Sequence, residues 1–292
     1  ISAYAEELAG RNDIAIVIGP AMSAEFIDIA PLVTGRGKLL ISPSVTMELA
    51  TGELNDNDLL WRTSLADGRQ VETIFLRLRG DGVRNVSLVT GATPYGETFA
   101  RLAPEAAAKN GIRITGAASL SASDDLSEIA RQIVKEEPDI VVAAVYPEEA
   151  IGLVNVLSPD RLFFSDACRS SYLIEHLGER AEGIRGTSLA PDPSTGYAIA
   201  YEEIFGEAPP AFAAQTYDAF LLALYTAARQ EAAPGESLAA SIRWVVTGDG
   251  TVKGWDPEEA GEAMALLRAG AHPAVTGASG PLRFGEHSSR GP

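Results

Sequence analysis

Cysteine is nearly absent from this chain: Cys168 is the only one in 292 residues. That excludes an internal disulfide, a CxxC redox pair and a cysteine-built zinc site, and leaves Cys168 as a small packed side chain. Histidine is almost as scarce. His176, His272 and His287 are scattered without HExxH or related spacing, so no metal site is expected. No apolar run reaches the ~18 residues that a membrane helix needs, and no basic stretch leads into a short apolar one as in a secretory leader. Because Ile1 already lies in an amphipathic helical pattern running to Leu8, a removed or separate segment ahead of it is expected. Clustered basic residues are missing too. The formal net charge of -17 argues against nucleic acid or an anionic membrane surface as a partner, since both are recognised by such clusters.

Catalytic signatures are equally absent. A nucleophile elbow needs G-x-S-x-G between strand and helix, and the nearest string, Gly277-Ala-Ser279-Gly280, has the wrong spacing. There is no Walker lysine loop and no G-x-G-x-x-G. Asp249, Asp256, Glu258 and Glu259 lack the alternation of a calcium loop and read as a solvated turn and helix start. The expectation is a protein without catalysis and without a cofactor, open to small-molecule ligands.

What the chain does have is 46% hydrophobic and 22% charged residues, enough for a full core and a split into two lobes. Short apolar runs alternate with helical patterns. Helices are expected at 1–10, 23–34, 67–79, 96–110, 124–136 and 147–157. Strands are expected at 14–19, 38–42, Val86–Thr90, Arg113–Ala117, Ile140–Val145 and Leu162–Phe164. Such alternation means βαβ units and a mainly parallel sheet flanked by helices, an α/β fold. After Pro191 and Pro193 the pattern turns helical, at 194–206, 213–230, 236–246 and 257–269, before a strand-like Gly280–Phe284. The implied organisation is 1–67 as the first part of lobe 1, 68–191 as lobe 2, 192–284 as the second part of lobe 1 and 285–292 as a tail.

Polar residues stand where these strands end. Ile14-Ala-Ile-Val-Ile-Gly-Pro20 leads to Ser23, and Leu39-Leu-Ile-Ser-Pro-Ser-Val-Thr46 carries Ser44 and Thr46. Tyr95, Tyr146 and Asp166 follow strands in the middle of the chain. Ligands of parallel α/β sheets bind at the carboxyl ends of strands, where backbone N–H groups at helix N-termini attract anions. The first set offers hydroxyls and N–H groups to a carboxylate. The second offers phenols and one carboxylate to an ammonium, so together they suit a zwitterion in a cleft between the lobes. Each of Ser23, Ser44 and Thr46 reads equally well as a helix cap, Tyr95 as loop cover, and Asp166 as a cap for a helix starting near Ser170. Asp67 reads as a cap, Arg62 as a brace for a strand edge, and Tyr217-Asp218 as hinge packing or as cleft residues.

An ordered set of strings makes the chain resemble the type I periplasmic solute-binding proteins of ABC transporters, in the leucine/isoleucine/valine branch. These are Val17-Ile-Gly-Pro20 with Ser23, Ile41-Ser-Pro-Ser-Val-Thr46-Met-Glu-Leu49, Trp61-Arg-Thr63 with Asp67, Pro94-Tyr-Gly-Glu97, Glu137-Pro-Asp-Ile-Val-Val142, Tyr217-Asp-Ala219 and Thr276-Gly-Ala-Ser-Gly-Pro281. The resemblance implies two α/β lobes closing on an amino acid or related small carboxylate or amide by hinge motion, without catalysis, for delivery to a membrane permease. It implies a periplasmic or extracellular location, with lipid anchoring as one form. By position it assigns Ser23, Ser44 and Thr46 to the ligand carboxylate, with Ser44 acting mainly through backbone. Tyr95 and Tyr146 become pocket walls, and Asp166 the partner of the ammonium. A ligand-sensing receptor domain on the same fold is the alternative. The chain departs from the pattern in three places. The strand, helix and strand that open the family fold are not in it, which implies an uncovered sheet edge. Phe284-Gly-Glu-His287 replaces the usual Phe-Asp, and Met22 stands where the family carries a disulfide cysteine.

Overall fold

The computed structural model describes residues 1–48, 54 and 57–284; Leu49, His287 and the tail 285–292 lie outside them. The chain divides into two compact units, Ile1–Ala66 with Ala190–Pro292, and Asp67–Leu189.

The first unit begins with α1 (Ser2–Gly10), β1 (Ile16–Ile18), α2 (Ser23–Thr34), β2 (Leu39–Ser42) and β3 (Leu60–Arg62). The three strands form one parallel sheet in the order β1-β2-β3, with Val17 opposite Leu40 and Leu40 opposite Leu60. Every residue of β2 is buried, as befits a central parallel strand. β1 takes the sheet edge and is half-buried throughout. β3 adds a strand that the alternation did not suggest, because three apolar residues behind the polar run Asn55–Asp58 give no periodic signal. Lys38 enters β2 with its stem buried and its ammonium donating to the carbonyls of Arg11 and Ile14, tying the α1–β1 connection to the sheet.

The second unit runs through α3 (Asp67–Gly80), β4 (Asn85–Gly91), α4 (Pro94–Lys109), β5 (Arg113–Leu120), α5 (Leu126–Lys135), β6 (Ile140–Ala144), α6 (Pro147–Val156), β7 (Leu162–Phe164), α7 (Ser171–Leu177) and β8 (Arg185–Gly186). All five strands are parallel, in the order β5-β4-β6-β7-β8. Both faces are covered, so the strands read as continuous apolar runs. Val142 and Ala144 of β6 and Phe163 of β7 pack with Ile74, Phe75, Leu78, Phe99 and Ala103 of α3 and α4. Their neighbours Val141, Ala143 and Phe164 pack with Ile133, Leu153, Leu157, Leu173 and Leu177 on the other face. The direction of strand addition reverses between β4 and β6, the switch point at which an open α/β sheet leaves a crevice.

The chain returns to the first unit with α8 (Tyr197–Phe205), α9 (Ala213–Ala232), α10 (Leu238–Val246), β9 (Val252–Lys253), α11 (Pro257–Arg268), β10 (Ala274–Gly277) and β11 (Gly280–Pro281). β9 pairs with β10 in parallel and β10 with β11 antiparallel. The strand expected over Gly280–Phe284 is thus a two-residue arm of a tight hairpin: Gly280 has φ +122 and Pro281 has no N–H to continue a ladder. Asp218 of α9, fully buried, fixes this hairpin by accepting from the N–H groups of Ala278 (2.6 Å) and Ser279 (3.2 Å). Tyr217 packs against Tyr197 and Trp255. Within this unit Tyr217-Asp218 is therefore packing and hairpin anchorage, and Arg62 braces the β2–β3 connection by donating to the carbonyl of Met47.

Candidate functional site

In the first unit the ends of β1 and β2 are laced into one ledge. Ser42, the last residue of β2, donates its hydroxyl to Pro20 O (2.9 Å) and accepts from Val45 N (3.2 Å). Ser44 donates to Ala21 O (2.9 Å), and Ser64 donates to Val45 O (2.6 Å). Ser23 is the first residue of α2 and is buried, with Met22 in the capping position. Thr46, also buried, follows Val45. So Ser23 is not the cap itself, and Ser44 uses its hydroxyl to hold Ala21, leaving its backbone as the group on offer. Ser42 was missed from sequence; its only signal is its place in Ile41-Ser-Pro-Ser44. The twelve-residue helix α2 opens at this ledge, so helix dipole and first-turn N–H groups favour an anion there.

In the second unit the three remaining residues come together at the β4/β6 switch. Pro94 and Tyr95 open α4 directly after β4, and Thr93 caps the helix by accepting from Gly96 N. Gly96 is required: a Cβ on it would lie 2.0 Å from Gly91 O. This close approach seats Tyr95 over the strand ends. Tyr146 caps α6 at the end of β6, with its N–H donated to Glu149 Oε2 (2.8 Å). The Tyr95 and Tyr146 rings lie 5.8 Å apart. Asp166 follows β7 and is 2% exposed, and the Tyr95 hydroxyl donates to its Oδ1 at 3.0 Å. α7 is capped by Ser170, not by Asp166. Gln70 of α3, not singled out from sequence, is the fourth member, with its Oε1 3.4 Å from the Tyr95 hydroxyl.

Burial raises the Asp166 pKa above the usual carboxylate range, while hydrogen bonds from Gln70, Tyr95 and the Ala167 backbone oppose the rise. Burial, with the charges of Asp166 and Asp67, pushes the Tyr95 phenol well above its ordinary value, so it is a permanent donor. Asp67 opens α3 and is fully buried. Cys168 is a packed thiol donating to Val145 O (3.2 Å), and burial pushes its pKa up. A cavity of about 410 Å³ lies between α7 and β8, lined by Phe164, Ser165, Cys168, Leu173, Ile184 and Thr187 among others. Among the described residues, no group of three or more His, Cys, Asp or Glu is placed to hold a metal. Asp256 caps α11 by accepting from Glu258 N and Glu259 N, so the acidic loop is a helix start.

Parallel sheets with polar side chains gathered at their carboxyl ends and helices opening beside them define an α/β ligand-binding protein. The chain belongs to the periplasmic binding protein family, whose profile matches residues 1–254. Among solved structures it is similar to the leucine-binding protein LivK of Thermotoga maritima, at 20% identity and TM-score 0.75, over 99% of this chain and 78% of that one. It is similar to LivJ of Streptococcus pneumoniae, solved with isoleucine, at 20% identity and TM-score 0.71, over 99% and 77%. A solute-binding protein of Rhodopseudomonas palustris solved with 3,4-dihydroxybenzoic acid matches at 17% identity and TM-score 0.66, over 85% and 70%. At these identities the likeness establishes the fold. No curated protein matches the chain in sequence.

Proposed function

We propose that this chain is the extracytoplasmic solute-binding protein of an ABC importer, binding an amino acid or a close carboxylate or amide relative without turnover and delivering it to a membrane permease. The observation that carries the reading is the buried Asp166 carboxylate held by Tyr95 at the β4/β6 switch, beside the Tyr146 ring. A carboxylate and aromatic faces are what a ligand ammonium needs. The ledge of Ser23, Ser44 and Thr46 at the start of α2 offers what a ligand carboxylate needs. An amino acid carries both groups. The isoleucine and dihydroxybenzoate named for the neighbours bracket the ligand class, both being small carboxylates. No helix among the described residues is long and apolar enough to cross a membrane.

Isothermal titration against leucine, isoleucine, valine and amine-free acids tests the reading. Saturable binding of one amino-acid group, weakened more than about tenfold in Asp166→Ala, is expected, because losing one buried charge partner costs ~2–5 kcal/mol. Preference for amine-free acids, with Asp166→Ala without effect, would remove the ammonium from the ligand.

A further inference from the structure

The cavity between α7 and β8 lies wholly inside the second unit, and none of Tyr95, Tyr146 and Asp166 lines it. At about 410 Å³ it has the size of pockets that enclose a small molecule. Its two ends differ in kind. β7 and β8 run parallel, and past their carboxyl ends stand Ser165 and Arg169 on one side and Thr187 and Ser188 on the other. Toward the other end the wall is apolar, built by Leu173 of α7, Ala181 in the turn that follows it and Ile184 just ahead of β8. Ile174, an apolar lining residue as well, is 61% exposed.

The polar end carries positive charge and no negative charge. In a chain with 40 acidic side chains against 23 Lys and Arg, no Asp or Glu is among the described residues that line this cavity. Arg169 and Arg185 both are. Arg185 is engaged elsewhere, paired with Asp81 at 3.1 Å and lying over the ring of Phe163, which packs on the α3 and α4 face of the sheet. Arg169 belongs to the polar end, where its Nη1 donates to Ser188 Oγ (3.0 Å). Next to Ser188, Thr187 is held in place by donating its N–H to Phe164 O (3.0 Å), yet its Oγ1 is buried without a hydrogen-bond partner. A buried hydroxyl left unpaired is uncommon in folded proteins. A carboxylate seated at this end accepts from that hydroxyl and from the Arg169 fork.

We propose that this cavity is a second ligand site, for a small aliphatic monocarboxylate, with the carboxylate at Arg169 and Thr187 and the tail among Leu173, Ala181 and Ile184. Burial of the tail supplies the driving force, and the guanidinium selects the sign of the head group. The site has no use for an ammonium, so it is independent of the role given to Asp166 above.

The test uses hexanoate and follows, in the full chain, the carbon-13 methyl signals of Leu173 and Ile184, identified by their loss in Leu173→Met and Ile184→Val. Saturable shifts of both signals are expected, with hexylammonium, of equal tail and opposite charge, at least about tenfold weaker. Arg169→Gln should weaken hexanoate by roughly tenfold, as the loss of a charge-assisted hydrogen bond. Ala181→Leu fills the apolar end and should abolish the shifts; if it does not fold, Ile184→Phe takes its place, read at Leu173. Methyl signals that stay unmoved at millimolar hexanoate overturn the proposal. So does equal binding of hexylammonium, or hexanoate binding unaltered in Arg169→Gln and in the filled variant. Hexanoate bound here by a protein that binds no amino acid overturns the proposed function and leaves this site standing.

Discussion

Gly96→Ala isolates the contact that seats Tyr95. The new Cβ would meet Gly91 O at 2.0 Å and Gly91 C and N at 2.9 Å each, all of them backbone atoms. Ordinary carbon contacts lie near ~3.5 Å, and neither partner is a flexible side-chain end. The first turn of α4 must therefore move away from the end of β4 by more than about 1 Å on that contact distance. Overpacking of this kind costs ~1–3 kcal/mol. The displacement falls on the residue next to Tyr95, whose hydroxyl spans 3.0 Å to Asp166, so ligand affinity should fall with stability. Gly261→Ala is the matched control. Gly261 lies inside α11 with nothing within 4 Å of the point a Cβ would occupy, so alanine there should stabilise by ~0.5–1 kcal/mol through helix propensity. Urea denaturation of both variants, with ligand titration alongside, reads the difference directly. A Gly96→Ala protein as stable as Gly261→Ala, with unaltered affinity, refutes the claim that this close approach places Tyr95.

Asp166→Asn should stabilise the ligand-free protein at neutral pH while weakening amino-acid binding. The sign follows from its raised pKa: the folded state holds the proton more tightly than the unfolded chain, so stability falls as pH rises from the ordinary carboxylate range through the raised value, and the cost persists above it. The advantage of the variant over wild type should therefore shrink as pH is lowered below that window, and a constant difference in denaturation midpoints across pH would contradict it. Asp218→Ala strips the acceptor from the buried N–H groups of Ala278 and Ser279 and should cost at least ~2 kcal/mol at ~1–3 kcal/mol per orphaned donor; a loss under about 0.5 kcal/mol in chemical denaturation would sink that account. Phe99→Ala, at a fully buried core position between α4 and the sheet, should cost ~3–5 kcal/mol in the same assay.

Strand ends were legible in the sequence where apolar runs met Gly, Pro and Ser. β2, β4 and β6 are covered on both faces and so leave uninterrupted runs such as Ile140–Val145. Four strands, β3, β8, β9 and β10, left no such trace. β8 and β9 are two residues each, β10 is four, and β3 comes behind a polar run of sequence; their pairing depends on neighbours far away in the chain, not on local pattern. The site divides in the same way. Tyr95, Tyr146 and Asp166 stand directly after strands, where position alone singles them out. Gln70 and Ser42 work through partners that no local spacing reveals: Gln70 reaches Tyr95 twenty-five residues on, and Ser42 grips a carbonyl twenty-two residues back. Tyr217-Asp218 looked ambiguous because a Tyr-Asp pair inside an apolar helix fits a binding role or a buried anchor equally well, and only the Ala278–Ser279 hairpin resolves its role within the first unit.

The buried thiol of Cys168 has a practical side. With a single cysteine in the chain, and that one 4% exposed with its proton held tightly, thiolate-directed reagents find nothing to attack on the native surface. A cysteine introduced at an exposed position such as Ile174 or Phe220 would then take a fluorophore at one site, and the protein could report on its own ligand without any native residue being replaced first.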